Sequence, residues 1–326
     1  MILEPDFVLK ERYIIQKPIG KGGMGSIYLA SDNRLQGRQC AIKEVQQEDG
    51  LPEPLIQQSR DQFYREASVL AQLDHPTLPK VSDYFAEGNL DYLVMDFVPG
   101  EDLKTLMDKA RRRNSYLPLK DVLAWADQLA DALEYLHSQN PPVIHRDIKP
   151  SNLKLTPQGR LKLVDFGLVK QMIPDEMTIT VIQGRGTALY TPLEQYGGDE
   201  GHTDARSDIY AFGATLYHLM TNTPPLEAKQ RFLKPGSMRK PSSINPEIGR
   251  SVNDALMWAM ALHPDERPST VTEFKDALFS KETIFPVSQT KPIADSLKAQ
   301  LPEQTDQVLF GAAALLVLIA LIATFT

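Results

Sequence analysis

The run His145-Arg146-Asp147-Ile148-Lys149-Pro150-Ser151-Asn152 puts a carboxylate, an ammonium and an amide into one short loop, and Asp165-Phe166-Gly167 supplies a second carboxylate soon after. That set suits phosphoryl transfer, which needs alignment and charge neutralisation more than covalent assistance. Metal must be held, a cation must face the γ-phosphate, and an acceptor must take the proton of the attacking hydroxyl. Asn152 and Asp165 have oxygens for the metal and Lys149 is the cation. Asp147 is left to orient the hydroxyl and accept its proton. Either motif alone is an ordinary capped loop; the two in this order, behind the features described next, point to a site.

Upstream, Ile19-Gly20-Lys21-Gly22-Gly23-Met24-Gly25-Ser26-Ile27 carries glycines at the G-x-G-x-x-G spacing. Lacking a Cβ, glycine lets backbone amides approach phosphate oxygens. Alone, the pattern also fits a plain hairpin turn or a dinucleotide-binding turn. The latter needs a helix directly after the glycines, whereas SIYLAS (26–31) has the content of a strand and favours a strand–loop–strand flap. In Cys40-Ala41-Ile42-Lys43, on the next apolar strand, alternation sends Ala41 and Lys43 to one face and Cys40 and Ile42 to the other. A nucleotide can meet the first face, with Lys43 on its α- and β-phosphate oxygens.

Strands over 13–19, 26–31, 39–45, 81–87 and 92–97, with one helix over 60–73, must position this first half of the site. Val98-Pro99-Gly100 marks a change. Beyond it, Val122, Leu123, Ala126, Leu129, Ala130, Leu133 and Leu136 recur at helical spacing, 153–155 and 161–164 form a small hairpin, and IYAFGATLYHLM (209–220) is apolar on nearly every side, as in a buried central helix. Helical signal ends near Ser280. Residues 281–307 mix Pro, Lys, Gln, Ser and acids as a flexible tether does. Then VLFGAAALLVLIALIATF (308–325) has no charge and no polar face; as a helix it reaches roughly 27 Å, which predicts a transmembrane span.

The totals agree. At 326 residues, 42% hydrophobic and 24% charged, the chain can bury a sizeable core in one large domain or two lobes. A formal net charge of -7 offers no basic field for nucleic acid. The single cysteine, Cys40, cannot form an internal disulfide, no Cys/His cluster has zinc-ligand spacing, and the usage fits a reducing compartment. The N-terminus has acids and a proline where a secretory signal would be basic and apolar. Arg111-Arg112-Arg113 is most simply a solvated helix end.

Over about residues 13–280 these features resemble the protein kinase family. The resemblance implies an α+β, bilobal protein-kinase-like fold, with an N-terminal β-rich lobe (1–97) and a C-terminal helical lobe (98–280), followed here by the tether (281–307) and the transmembrane helix (308–325). It implies that Gly20, Gly22 and Gly25, with Ile19, Lys21, Gly23, Met24, Ser26 and Ile27 around them, cover ATP phosphates. Lys43 would pair with Glu66, Met95 would gate the adenine pocket, and the backbone of Asp96 to Val98 would bind adenine. Lys149, two residues after Asp147, resembles the lysine of serine/threonine kinases. Gly186-Thr187 matches the segment whose threonine reaches back to the catalytic Asp and Lys, Glu194 and Arg267 match a buried ion pair, and Asp208 matches the residue that holds the catalytic-loop backbone. Pro192-Leu193-Glu194 departs from the usual A-P-E. Arg146 implies an activation loop open to phosphorylation, with Thr178 and Thr180 as sites.

The function this implies is transfer of the ATP γ-phosphate, with Mg, to Ser/Thr hydroxyls of protein substrates. The chain would be a single-pass cell-membrane protein with its kinase domain on the ATP-containing cytoplasmic side, similar to bacterial membrane kinases. Self-association would serve autophosphorylation. With only Thr326 after the span, regulation is expected from the cytosolic side, the membrane or partner chains. A membrane-tethered pseudokinase scaffold is the alternative, opposed by the presence of Lys43, Asp147, Asn152 and Asp165. Phosphorylation of a small molecule is opposed by the platform from Gly186 to Glu194.

Overall fold

The computed structural model describes residues 2–22, 25–46, 53–165, 185–196 and 203–280. The expected tether (281–307) and transmembrane helix (308–325), and likewise Gly23, Met24, Phe166, Gly167, Thr178 and Thr180, lie outside the described residues. Among those described, no helix is long and apolar enough to cross a membrane.

The first part of the chain forms an antiparallel sheet of β1 (Val8–Leu9), β2 (Tyr13–Gly22), β3 (Gly25–Asp32), β4 (Gln39–Gln46), β5 (Val81–Glu87) and β6 (Leu90–Asp96), ordered β1-β2-β3-β4-β6-β5. Alternation along β4 does what the sequence predicts. Cys40 and Ile42 face a core of Leu9, Tyr13, Ile15, Tyr28, Ala30, Phe85, Tyr92 and Val94. Directly paired residues share a face. Register therefore gathers the opposite face: Lys43 is opposite Ile27 on β3 and Leu93 on β6, and Ala41 is opposite Leu29 and Met95. The last described pair of β2 and β3 is Gly22 opposite Gly25. Gly25 has φ +149°, and a Cβ there would lie 2.1 Å from the Glu44 carbonyl oxygen.

Helix α1 (Glu53–Gln72) packs on this sheet through buried Phe63, Ala67 and Leu70. It starts earlier than the periodicity predicts, because Pro54 is tolerated in a first helical turn.

The second part is mainly helical. Asp102 caps α2 (Leu103–Arg112) by accepting a hydrogen bond from the Thr105 N–H, and Lys109, Arg111 and Arg112 lie in its last turn, where cations meet the negative end of the helix dipole. In α3 (Leu119–His137) the buried residues are Val122, Ala126, Leu129, Ala130, Ala132, Leu133 and Leu136: the predicted stripe except that Leu123 is only half-buried and Ala132 joins it. After α4 (Arg185–Ala188) comes α5 (Ala205–Thr221), buried from Ser207 onward on every side. The remaining helices are α6 (Ala228–Leu233), α7 (Arg250–Ala259) and α8 (Val271–Phe279). Gly213 lets α5 close on α7: a Cβ there would meet Ala259 Cβ at 2.8 Å. A small sheet of β7 (Glu101–Asp102), β8 (Leu153–Leu155) and β9 (Leu161–Leu163) lies beside α2, and it contains the predicted hairpin.

Candidate active site

The loop at 145–152 is positioned from below by α5. Asp208 is fully buried and accepts three hydrogen bonds: from the backbone N–H groups of His145 and Arg146, both at 2.8 Å, and from His137 Nε2 at 2.9 Å. Burial works to raise its carboxyl pKa, but these donors outweigh burial and hold it below the ordinary range. Arg146 takes the left-handed conformation, φ +64°, so the chain turns sharply just before Asp147. His145 is kept neutral by burial, and its Nδ1 accepts from the Asp147 N–H at 3.4 Å.

Asp147 is held at one oxygen and open at the other. Its Oδ2 accepts from Lys149 Nζ and Asn152 Nδ2, each at 2.8 Å, and Asn152 Nδ2 also reaches the Asp147 carbonyl at 2.9 Å. Its Oδ1 is buried and has no hydrogen-bond partner among the described residues. Lys149 Nζ also donates to Thr187 Oγ1 at 3.1 Å, bringing the platform predicted at Gly186-Thr187 onto the loop. The Pro150–Asn152 turn places Asn152, whose carbonyl accepts from the Val164 N–H at 2.8 Å and so brings Asp165 alongside.

Asp165, also left-handed at φ +60°, joins the two halves: its Oδ1 accepts from Lys43 Nζ at 2.5 Å. Burial works to raise its pKa, yet the Lys43 ammonium more than offsets this and keeps it ionised below the usual carboxylate range. Asp165 and Asn152 offer only oxygens, which suits a hard divalent cation that takes few protein ligands and completes its shell with phosphate and water. The residues present therefore fit such a metal.

The other expected site residues fall around this centre. Glu66 is 5% exposed, against the surface position usual for a helical Glu; it accepts from Gln62 at 2.9 Å, and its charge also acts on the half-buried Arg146. Ala41, Met95 and Val98 are buried, while Ile19 is 41% exposed at the flap. Ser26 is buried beside Ile27 on β3. The Asp96 N–H donates to the Lys80 carbonyl at 2.9 Å.

Pro192-Leu193-Glu194 leaves the substrate platform anchored. Leu193–Tyr196 is a 3-10 turn, and Glu194 meets Arg267 bidentately at 2.6 and 3.0 Å while accepting from Ser207 Oγ at 2.7 Å. Arg267 spends its remaining donors on the carbonyls of Ala261, Leu262 and Arg206. Sequence reasoning missed His137, Ser207 and the Tyr190 hydroxyl bonded to His218 Nδ1 at 2.7 Å. Their signal was only proximity to the motifs: His137 ends the helix before the loop, Ser207 precedes Asp208, and Tyr190 stands between Thr187 and Glu194.

A model of the protein kinase domain matches residues 13–279. The chain is 35% identical over 276 residues to a probable serine/threonine-protein kinase of Streptomyces coelicolor, SCO3848, covering 81% of this chain and 39% of that protein. It is 32% identical over 280 residues to the tyrosine-protein kinase MasK of Myxococcus xanthus, covering 82% and 42%. It is 30% identical over 312 residues to the serine/threonine-protein kinase PknA of Mycobacterium tuberculosis, covering 91% and 68%. The chain thus spans about two fifths of the length of the first two relatives. The crystal structure of the Mycobacterium tuberculosis PknI kinase domain is similar, with a TM-score of 0.64, 28% identity, and coverage of 85% of this chain and 98% of that one. With the β-rich and helical parts arranged around one shared site, the chain belongs to the protein kinase domain family.

Proposed function

We propose that the chain transfers the ATP γ-phosphate to Ser and Thr hydroxyls of proteins. The observation that carries this reading is the Lys149 ammonium shared between Asp147 Oδ2 at 2.8 Å and Thr187 Oγ1 at 3.1 Å. It ties the open carboxylate to the segment that would present the acceptor, at the position where the resemblance separates serine/threonine from tyrosine kinases. The relatives' names include both classes, and the local geometry is what supports the preference for Ser and Thr.

Each group then has a task. Lys43 would hold α- and β-phosphate oxygens below the glycine flap, and Lys149 would face the γ-phosphate. Asp147 Oδ1, without a hydrogen-bond partner among the described residues, would accept the hydroxyl proton while Lys149 and Asn152 fix its other oxygen. Positioned proton transfer of this kind contributes roughly 10²–10⁴-fold. Asp165 and Asn152 Oδ1 would hold Mg, which when bound neutralises charge on the phosphates. The backbone around Asp96 to Val98 and the side chains of Ala41 and Met95 would enclose adenine.

Autophosphorylation at Thr178 or Thr180 fits Arg146, whose buried Nε has no partner among the described residues and whose charge is disfavoured by burial. A phosphate arriving there would supply a counter-charge. The reading includes anchoring by 308–325, with the kinase domain on the cytoplasmic side where ATP is found. Incubation of the full chain with labelled ATP, Mg and a generic protein substrate, followed by mass spectrometry, tests the acceptor. Label is expected on Ser and Thr; label confined to Tyr would refute it.

A further inference from the structure

Among the described residues, the most exposed adjacent pair of large apolar side chains lies far along the chain from the catalytic loop, at the end of α6. Phe232 is 65% exposed and Leu233 is 78% exposed, with Leu226 at 37% nearby in sequence. Arg231, one residue earlier, is buried and donates to the Tyr210 hydroxyl at 3.2 Å, which pins α6 onto α5 and turns Phe232 and Leu233 outward. The other large exposed apolar residues of the helical part, such as Tyr116 and Phe279, stand singly.

The apolar pair lies in a basic stretch of sequence. Lys229, Lys234, Arg239 and Lys240 are exposed, and Glu227 is the only acid in 226–240. The chain folds back on itself here: Ser237 N–H donates to the Lys234 carbonyl at 3.2 Å, with Gly236 at φ +78°. Beyond this turn the Arg239 carbonyl accepts from the Tyr217 hydroxyl at 3.1 Å, which holds the returning chain against α5. Lys229 lies over the Tyr196 ring at 3.9 Å, near the end of the substrate platform. So concentrated a positive patch is out of keeping with a chain of net charge -7.

Adjacent large apolar side chains flanked in sequence by exposed cations are suited to an anionic lipid surface, where the cations meet headgroups and the tip enters the acyl boundary. The sequence indicates how such a surface would be reached. Residues 308–325 form an uncharged apolar run, and the 281–307 stretch before it, at linker composition, would span roughly 30 Å root-mean-square on the tether reading. A domain on that tether meets the bilayer at high effective concentration, so a weak patch suffices.

We infer that the α6 tip docks the kinase domain on the anionic headgroups of the membrane to which it is tethered. This rests on the membrane-anchored reading above. Docking through α6 holds the neighbouring substrate platform close to the bilayer, favouring acceptors at the membrane surface.

The test uses the full chain with Leu233→Cys carrying an environment-sensitive fluorophore; the native Cys40 is buried away from the reagent. The protein is reconstituted into phosphatidylcholine vesicles with or without phosphatidylserine. Blue-shifted emission is expected only with phosphatidylserine. It should disappear in the Lys234→Glu, Arg239→Glu, Lys240→Glu variant, and each cation removed singly should weaken docking about fivefold. Unchanged emission in both vesicles would overturn the inference. So would a blue shift in detergent that grows with protein concentration, since a second copy would then cover the tip, or one that needs a protein substrate. Two parallel readouts separate this from the reading it rests on. Loss of phosphotransfer in detergent would count against the kinase assignment, and extraction from vesicles by alkaline carbonate would count against the span, whatever the fluorophore shows.

Discussion

Replacing Asp208 with Asn keeps the side-chain volume but converts one buried acceptor into a donor. In the less costly orientation the amide oxygen still accepts from His137 and His145, and the NH₂ is turned against the Arg146 N–H, which Asp208 Oδ1 now accepts at 2.8 Å. An orphaned buried N–H costs about 1–3 kcal/mol, and weakening two bonds from charge-assisted to neutral costs about 1 kcal/mol each. The expected loss of stability is therefore about 3–5 kcal/mol. Arg146 is held at φ +64° by the bond that is lost. Its relaxation should displace Asp147, and a misplacement near 1 Å is worth roughly 10² in rate. Urea titration should show a lower midpoint, and kcat measured where the variant remains folded should fall by about that factor. The wild-type contribution is also pH-dependent. Because the folded pKa of Asp208 is depressed, its stabilisation is complete above the unfolded value near 4 and is lost as pH falls through the folded value. An Asp208→Asn chain with an unchanged urea midpoint and unchanged kcat would refute the claim that this carboxylate builds the loop.

Other perturbations have separate outcomes. Arg267→Met leaves Glu194 buried without its cation and should cost about 3–5 kcal/mol by urea denaturation, much of it recovered in the double variant with Glu194→Gln. Gly25→Ala drives a Cβ to within 2.1 Å of the Glu44 carbonyl oxygen, so the flap must shift; at a cost of about 1–3 kcal/mol, the KM for ATP should rise about tenfold or more. His218 has its pKa lowered by burial to about 4, so the unfolded chain binds its proton first. Stability should be full above about pH 6.5 and decline as pH falls toward 4, and that part of the slope should be absent in His218→Gln.

The elements that carry the site were legible because their physics is local. Alternation along 39–45 predicted the faces of Cys40, Ala41, Ile42 and Lys43, and the three-and-four spacing of α3 predicted its buried stripe apart from Leu123, half-buried, and Ala132, buried but not predicted. What stayed hidden depends on distant partners. Glu66 has the sequence context of any amphipathic helix; only the packing of α1 on the sheet buries it. His137 and Asp208 are 71 residues apart, and nothing local in either says that one carboxylate will gather that imidazole and two backbone N–H groups. The short β1 and β7 carry too few residues for any period to show. The departure at Pro192-Leu193-Glu194 raised a question that sequence could not resolve. The Arg267 guanidinium answers it, because it binds Glu194 through the carboxylate alone and is indifferent to the two residues before it.

The most direct measurement of the central claim is incorporation of label from γ-labelled ATP, with Mg, into a generic protein substrate by wild type, Asp147→Asn and Lys43→Met in parallel. The account predicts robust incorporation by wild type and a fall of roughly 10²-fold or more in Asp147→Asn, which loses the proton acceptor. A comparable failure is predicted in Lys43→Met, which loses both the phosphate contact and the partner of Asp165. Equal incorporation by all three would contradict it.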